Sequence, residues 1–114
     1  MKSRYVLACA LAAMGALHFA KPDPFESIVP PQLPGGPRLY NFASGAWELA
    51  TAGLLARENT AAAGGVSACA LFLAVWPANI YHAIKDWPKA WGYHLLRQPA
   101  QLWLISLAAR IART

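Results

Sequence analysis

Apolar residues dominate four stretches of the chain, and polar punctuation separates them. Residues 5–20 carry no charge and are bracketed by Lys2, Arg4 and Lys21. Residues 39–56 contain one acid, Glu48, and end at Arg57-Glu58. Residues 61–84 are free of formal charge and stop at Lys85-Asp86, and residues 98–112 are clean until Arg110. A helix needs about 20 residues to cross the hydrocarbon of a bilayer, with about 17 as the lower end. The second and third stretches meet that length. The first and fourth are short and need flanking residues, which bilayer thinning and snorkelling basic side chains allow. A helix in a soluble bundle keeps a charged face opposite its apolar stripe. The first and third stretches have none. The pattern therefore predicts an all-α protein, a four-transmembrane-helix antiparallel bundle forming one membrane domain over residues 1–114.

Residues 21–38 differ in composition. Six prolines (Pro22, Pro24, Pro30, Pro31, Pro34 and Pro37) stand there with Gly35 and Gly36. Proline lacks the amide donor a helix interior requires, so an extended loop is expected. Phe25, Ile28, Val29 and Leu33 make it too apolar for a solvated linker. The expectation is a Pro-rich loop capping one end of the bundle.

Composition narrows the class. Hydrophobic residues make up 57% of the 114 and charged residues 13%, about half the charged share of a soluble domain. Disorder requires the opposite balance, and two cysteines cannot build a disulfide scaffold. Cys9 and Cys69 lie among apolar neighbours and read as packing residues. Ten Lys and Arg against five Asp and Glu give a net charge of +5. The basic residues fall at span ends, where anionic headgroups await them, so the partner is the lipid bilayer and no nucleic acid is implied. With four crossings, five basic residues fall on each side, a tie under the positive-inside rule. Lys2 and Arg4 beside the first span tilt the reading to cytoplasmic termini. Residues 5–20 also meet part of the signal-peptide pattern, yet His18 stands where a small residue is needed for cleavage. A retained helix is expected.

Candidate chemistry gathers in one half of the bundle. A charged group in mid-membrane costs about 2.5–3.5 kcal/mol on insertion scales and marks a functional site by default. Glu48 is such a group. Asn41, Ser44, Glu48 and Thr51 share one helical stripe, and Gly45, Ala52 and Gly53 are small enough for another helix to approach. Antiparallel crossing brings His18, Trp76, Asn79, Tyr81, His82, Gln98 and Gln101 to the same end, beneath the Pro-rich loop. The candidate polar pocket is His18, Ser44, Glu48, Asn79, His82 and Gln101. Glu48 can act there as a cross-link to His18, Asn79 or Gln101, or as a titrating group. Pro77 removes a donor from the Leu73 carbonyl and predicts a helix kink beside Asn79 and His82. Trp87, Trp91, Tyr93 and Trp103 fit an interfacial aromatic belt, and His94, on the loop among them, reads as interfacial. No metal is expected: His18, Glu48 and His82 have the chemistry without a His-x-x-x-His or Glu-x-x-His spacing. No phosphate loop or nucleophile elbow is present, and no catalytic residue is assigned.

Several of these residues together resemble a known family. His18-Phe19, Pro22, Phe25, Ile28-Val29-Pro30 and Leu33-Pro34, then Ser44-Gly45, Glu48 and Gly53, are similar to the DoxX-like membrane proteins. Pro77-Ala78-Asn79-Ile80-Tyr81, followed by Arg97, Pro99 and Gln101, resembles that family's third and fourth helices. The resemblance implies a four-helix protein of the bacterial inner membrane, in some relatives tied to thiosulfate:quinone oxidoreduction or other membrane redox systems. Trp76 stands where Phe is common and His82 where an apolar residue is expected, and no cysteine pair is present for a thiol relay. The expected role is an accessory or structural subunit of a membrane redox system rather than a catalyst alone. The expected partners are other membrane redox subunits, with a quinone as the cofactor most compatible with the pocket and a homo-oligomer compatible with the sequence. The alternative is a stand-alone quinone- or lipid-binding oxidoreductase or carrier in which Glu48 exchanges protons.

Overall fold

The computed structural model describes residues 2–27, 29 and 32–114, with the side chains of Lys2 and Pro24 left aside. Ile28, Pro30 and Pro31, assigned above to the cap and to the family motif, lie outside the described residues. All regular structure among the described residues is helical: α1 (Lys2–Ala20), α2 (Pro22–Glu26), α3 (Gly36–Ala56), α4 (Ala61–Asp86) and α5 (Trp91–Ala112), with a 3-10 turn at Glu58–Thr60. Four are long, and α2 is a single short turn.

Two departures from the sequence expectation exceed three residues. The proline-rich segment is not extended throughout, because Pro22 and Asp23 open α2. Proline at the first helical position loses only an amide that has no partner there, and an acid in the first turn suits the helix dipole. The fourth long helix starts at Trp91, seven residues before the expected 98, and runs through Pro99. Ala90, in the left-handed region at φ 54°, turns the chain, and the His94 amide donates to its carbonyl at 3.1 Å. Gly35 and Gly36, at φ 93° and 81°, make the corresponding turn into α3, where a residue with a Cβ would be strained.

The register is antiparallel throughout. Arg4 meets Leu55, Gly15 meets Gly45 and His18 meets Asn41, which runs α1 against α3. Gly65 meets Ala112, Cys69 meets Ile105 and Asp86 meets His94, which runs α4 against α5. Trp47 and Thr51 both bond the Ser67 hydroxyl, at 2.9 and 2.7 Å, joining α3 to α4. The chain is thus two helical hairpins, α1–α3 and α4–α5, docked along α3 and α4.

Small residues set the helix spacing. A Cβ on Gly45 would stand 2.8 Å from the His18 Cβ, and one on Gly65 would stand 2.4 Å from the Ala112 nitrogen. Gly53, expected at a helix approach, has nothing within 4 Å of that position. The dense core of Leu7, Leu11, Leu55, Ala68, Leu71, Phe72, Leu107, Ala108 and Ile111 lies mainly toward the end that holds the termini. Cys69 packs against it, whereas Cys9 is exposed on the outer surface, so only one cysteine fits the packing expectation. The helices 3–20 and 58–86 are long and apolar enough to cross a membrane. The other two long helices fall below that measure, because α3 carries Asn41, Ser44, Glu48 and Thr51 and α5 carries Arg97, Gln98 and Gln101.

Candidate functional site

Under the α2 segment the two hairpins line a partly open cavity of about 420 Å³. Of the six predicted pocket residues, His18, Ser44, Glu48, Asn79 and Gln101 line it. His82 does not; it contacts Arg97, which does. Phe25 and Val29 cover the cavity from the proline-rich segment, and the Lys85 ammonium donates to the Ser27 carbonyl at 2.8 Å, tying that segment to the end of α4.

On the first hairpin the polar groups form one cluster. His18 is buried and its ring stacks on Phe25, with centroids 3.8 Å apart and planes at 16°. Its Nδ1 lies 2.7 Å from the Met14 carbonyl oxygen. A carbonyl only accepts, so Nδ1 carries a proton. Glu48 Oε1 is 3.1 Å from the same nitrogen. With Nδ1–H donated to Met14, that oxygen has no aligned hydrogen-bond donor of its own among the described residues. Asn41, only 2% exposed, donates its amide to the His18 carbonyl at 2.8 Å, and its Oδ1 is likewise buried without a donor. Buried polar atoms are nearly always satisfied, and these two oxygens, on residues that line the cavity, are among the buried atoms without a partner.

The second hairpin carries a longer chain of bonds. Arg97 donates to Asn79 Oδ1 and, at 3.0 Å, to His82 Nδ1. Asn79 Nδ2 donates to Gln101 Oε1 at 3.3 Å, and Gln101 Nε2 donates to the Phe72 carbonyl at 2.7 Å. That carbonyl belongs to the turn ahead of Pro77, which lies inside a continuous α4; the carbonyl supported is Phe72's, one residue before Leu73. Trp76 Nε1 donates to Gln98 Oε1 at 2.8 Å.

At the α4–α5 corner, His82 Nε2 and His94 Nε2 stand 3.0 and 3.2 Å from the same oxygen of Asp86. This corrects the loop placement of His94. It sits in the first turn of α5, 4% exposed, rather than on a loop among the exposed Trp87, Trp91 and Tyr93. His82, Asp86 and His94 bring three possible metal-ligating atoms within 4.8 Å of one another. Their proton arrangement opposes that use. Arginine has no acceptor, so His82 Nδ1 receives and Nε2 holds the proton. A metal-bound imidazole has the reverse pattern, donating from its other nitrogen to an acceptor.

Among the described residues no hydrogen bond joins the Glu48 cluster to the Asn79–Gln101–Arg97 chain. Of the three partners expected for Glu48, the structure brings only His18 into contact; Asn79 and Gln101 face it from the other hairpin. Sequence reasoning missed Arg97 and Asn41 as members of the site. Asn41 was readable from its place on the Glu48 stripe. Arg97 was readable from antiparallel pairing, which sets position 97 level with 79 and 82.

Residues 7–112 match the family described as domain of unknown function DUF8561. The chain belongs to that family. No curated protein and no solved structure matches it.

Proposed function

We propose that this protein is a four-helix integral membrane protein that holds the polar head of a small amphipathic molecule, of quinone or lipid type, between its two hairpins. In this reading it serves as an accessory subunit of a membrane redox system, related to the DoxX-like proteins it resembles. Two sets of polar side chains that face each other across a cavity without bonding to each other carry the reading. Its volume lies in the range of small-molecule pockets, about 300–1,000 Å³, and its walls are mainly apolar, including Leu11, Leu71, Val75 and Leu104.

The membrane setting is supported by what the outside of the molecule exposes. Val6, Ile84 and Leu96 are 67%, 71% and 70% exposed, and exposed apolar surface on this scale marks a lipid or protein contact. The longest dimension, 41 Å, matches a bilayer with its headgroup regions, about 40–45 Å. Trp87 and Trp91, at the α4–α5 corner, are exposed as an interfacial belt requires, whereas Trp103 lies midway along α5.

The test is purification from a native membrane in mild detergent, with mass spectrometry of the extracted small molecules and co-purifying proteins. The expected result is one retained amphiphile together with redox proteins. Ala78→Phe, which fills the cavity from α4, is expected to lose the amphiphile while leaving the protein folded. Equal small-molecule content in both preparations would defeat the proposal. A second reading, in which Glu48 exchanges a proton with the bound molecule, is favoured by the 3.1 Å contact between its Oε1 and His18 Nδ1. Glu48→Gln keeps the hydrogen-bonding shape and removes titration, so unchanged activity in that variant would eliminate the proton role.

A further inference from the structure

The polar groups lining the cavity are unequal in charge. His18 and Glu48 lie in contact and compensate each other when both are ionised. Arg97 has no carboxylate within ion-pair distance among the described residues. Its guanidinium donates to two neutral acceptors, Asn79 Oδ1 and His82 Nδ1, and lies 5.2 Å from the centroid of the Tyr93 ring. Of five N–H donors, two are committed in this way. An arginine near a helix end in a membrane protein ordinarily extends its head to the headgroup layer. This one is turned inward, half-buried, onto the cavity wall. The turn is held from behind: Asp86 accepts from His82 Nε2, which leaves His82 Nδ1 free to receive from Arg97. Neutral acceptors orient a cation without cancelling its charge, and the apolar walls around it strengthen any interaction with an anion.

We propose that Arg97 is the specificity-determining residue of the cavity, and that the amphiphile it selects has an acidic head, a carboxylate on an apolar chain. The carboxylate seats on the spare N–H groups of Arg97, and the chain lies along Leu104, Val75 and Leu71. Asp86, His82 and Asn79 are positioning residues that aim the guanidinium. This inference rests on the cavity being the ligand site, and it replaces a neutral quinone head with an anionic one.

The measurement is equilibrium binding of laurate, methyl laurate and decylubiquinone to the full chain in neutral nanodiscs. Hydrogen bonds to charged groups are stronger than neutral ones, so laurate is expected to bind at least about tenfold more tightly than its ester, a factor that corresponds to about 1.4 kcal/mol. Arg97→Gln is expected to erase this preference, with laurate losing more affinity than methyl laurate, and Arg97→Lys to keep part of it. Equal binding of laurate and its ester to the unaltered protein, or a preference that survives in Arg97→Gln, overturns the inference. Tighter binding of decylubiquinone than laurate also overturns it and leaves the cavity reading standing. Failure of all three probes to bind overturns both. The acid-to-ester comparison uses the unaltered chain, so the inference remains testable even where a variant does not fold.

Discussion

Arg4 and Arg97 both sit near helix ends, and both turn toward the protein. Arg4 is 8% exposed; its guanidinium donates to the Leu55 carbonyl at 2.6 Å and to the Tyr5 hydroxyl at 3.1 Å. Leu55 is in the last turn of α3, where carbonyls have no partner within the helix and the dipole is negative, so Arg4 caps α3 from α1. Removing the donor leaves a buried acceptor unsatisfied, which costs about 1–3 kcal/mol. Arg4→Met is expected to destabilise the protein by that amount in denaturant titrations in detergent, and an unchanged midpoint would refute the capping role. At this scale the sequence was legible where a polar residue interrupts an apolar run, as with Glu48, Asn79 and Gln101. It was not legible where a long basic chain stands at a span end. Charge and position are the same whether such a side chain reaches for headgroups or bends back, and the choice depends on acceptors from another helix: Leu55 for Arg4, Asn79 and His82 for Arg97. His94 escaped for a related reason, since its burial depends on Asp86, eight residues away across a corner.

Among the elements, helix identity followed from apolar run length, and the boundaries that moved were set by local backbone chemistry: Pro22-Asp23 starting α2, Ala90 starting α5. Helix approach was only half readable. A glycine in an apolar helix is equally visible in sequence whether it touches a neighbour or faces outward. Gly65 and Gly53 separate the two cases. A methyl at Gly65 meets the Ala112 nitrogen at 2.4 Å and the Ala108 oxygen at 2.8 Å, and backbone cannot move aside cheaply. Gly65→Ala is therefore expected to force α4 from α5 and cost about 1–3 kcal/mol, the range for overpacking. Gly53→Ala meets nothing within 4 Å and is expected to be neutral or to gain up to about 1 kcal/mol from helix propensity. Thermal unfolding of the two variants side by side distinguishes contact from composition; equal shifts would contradict the packing described.

For the whole molecule, the division into a dense apolar half and a cavity half follows the distribution of polar residues along the chain. Phe25 and Val29 cover the cavity, as the apolar content of the proline-rich segment suggested. How the proposed membrane setting orients the protein is testable directly. In a cysteine-free background made with Cys9→Ala and Cys69→Ala, Asn59→Cys and Lys89→Cys place single thiols at exposed turns at opposite ends. An impermeant maleimide is expected to label one from the outside of sealed vesicles and the other only after permeabilisation. Labelling of both from the same face would exclude an odd number of crossings between them.

The grouping of the helices into consecutive hairpins has one more result. Each half of the chain carries only one wall of the interior space: His18, Asn41, Ser44 and Glu48 in the first, Asn79, Arg97 and Gln101 in the second. Neither half alone encloses a volume. The chamber exists only where the two halves dock, at the seam in which Ser67 of the second half meets Trp47 and Thr51 of the first, so its dimensions are governed by how firmly that handshake holds.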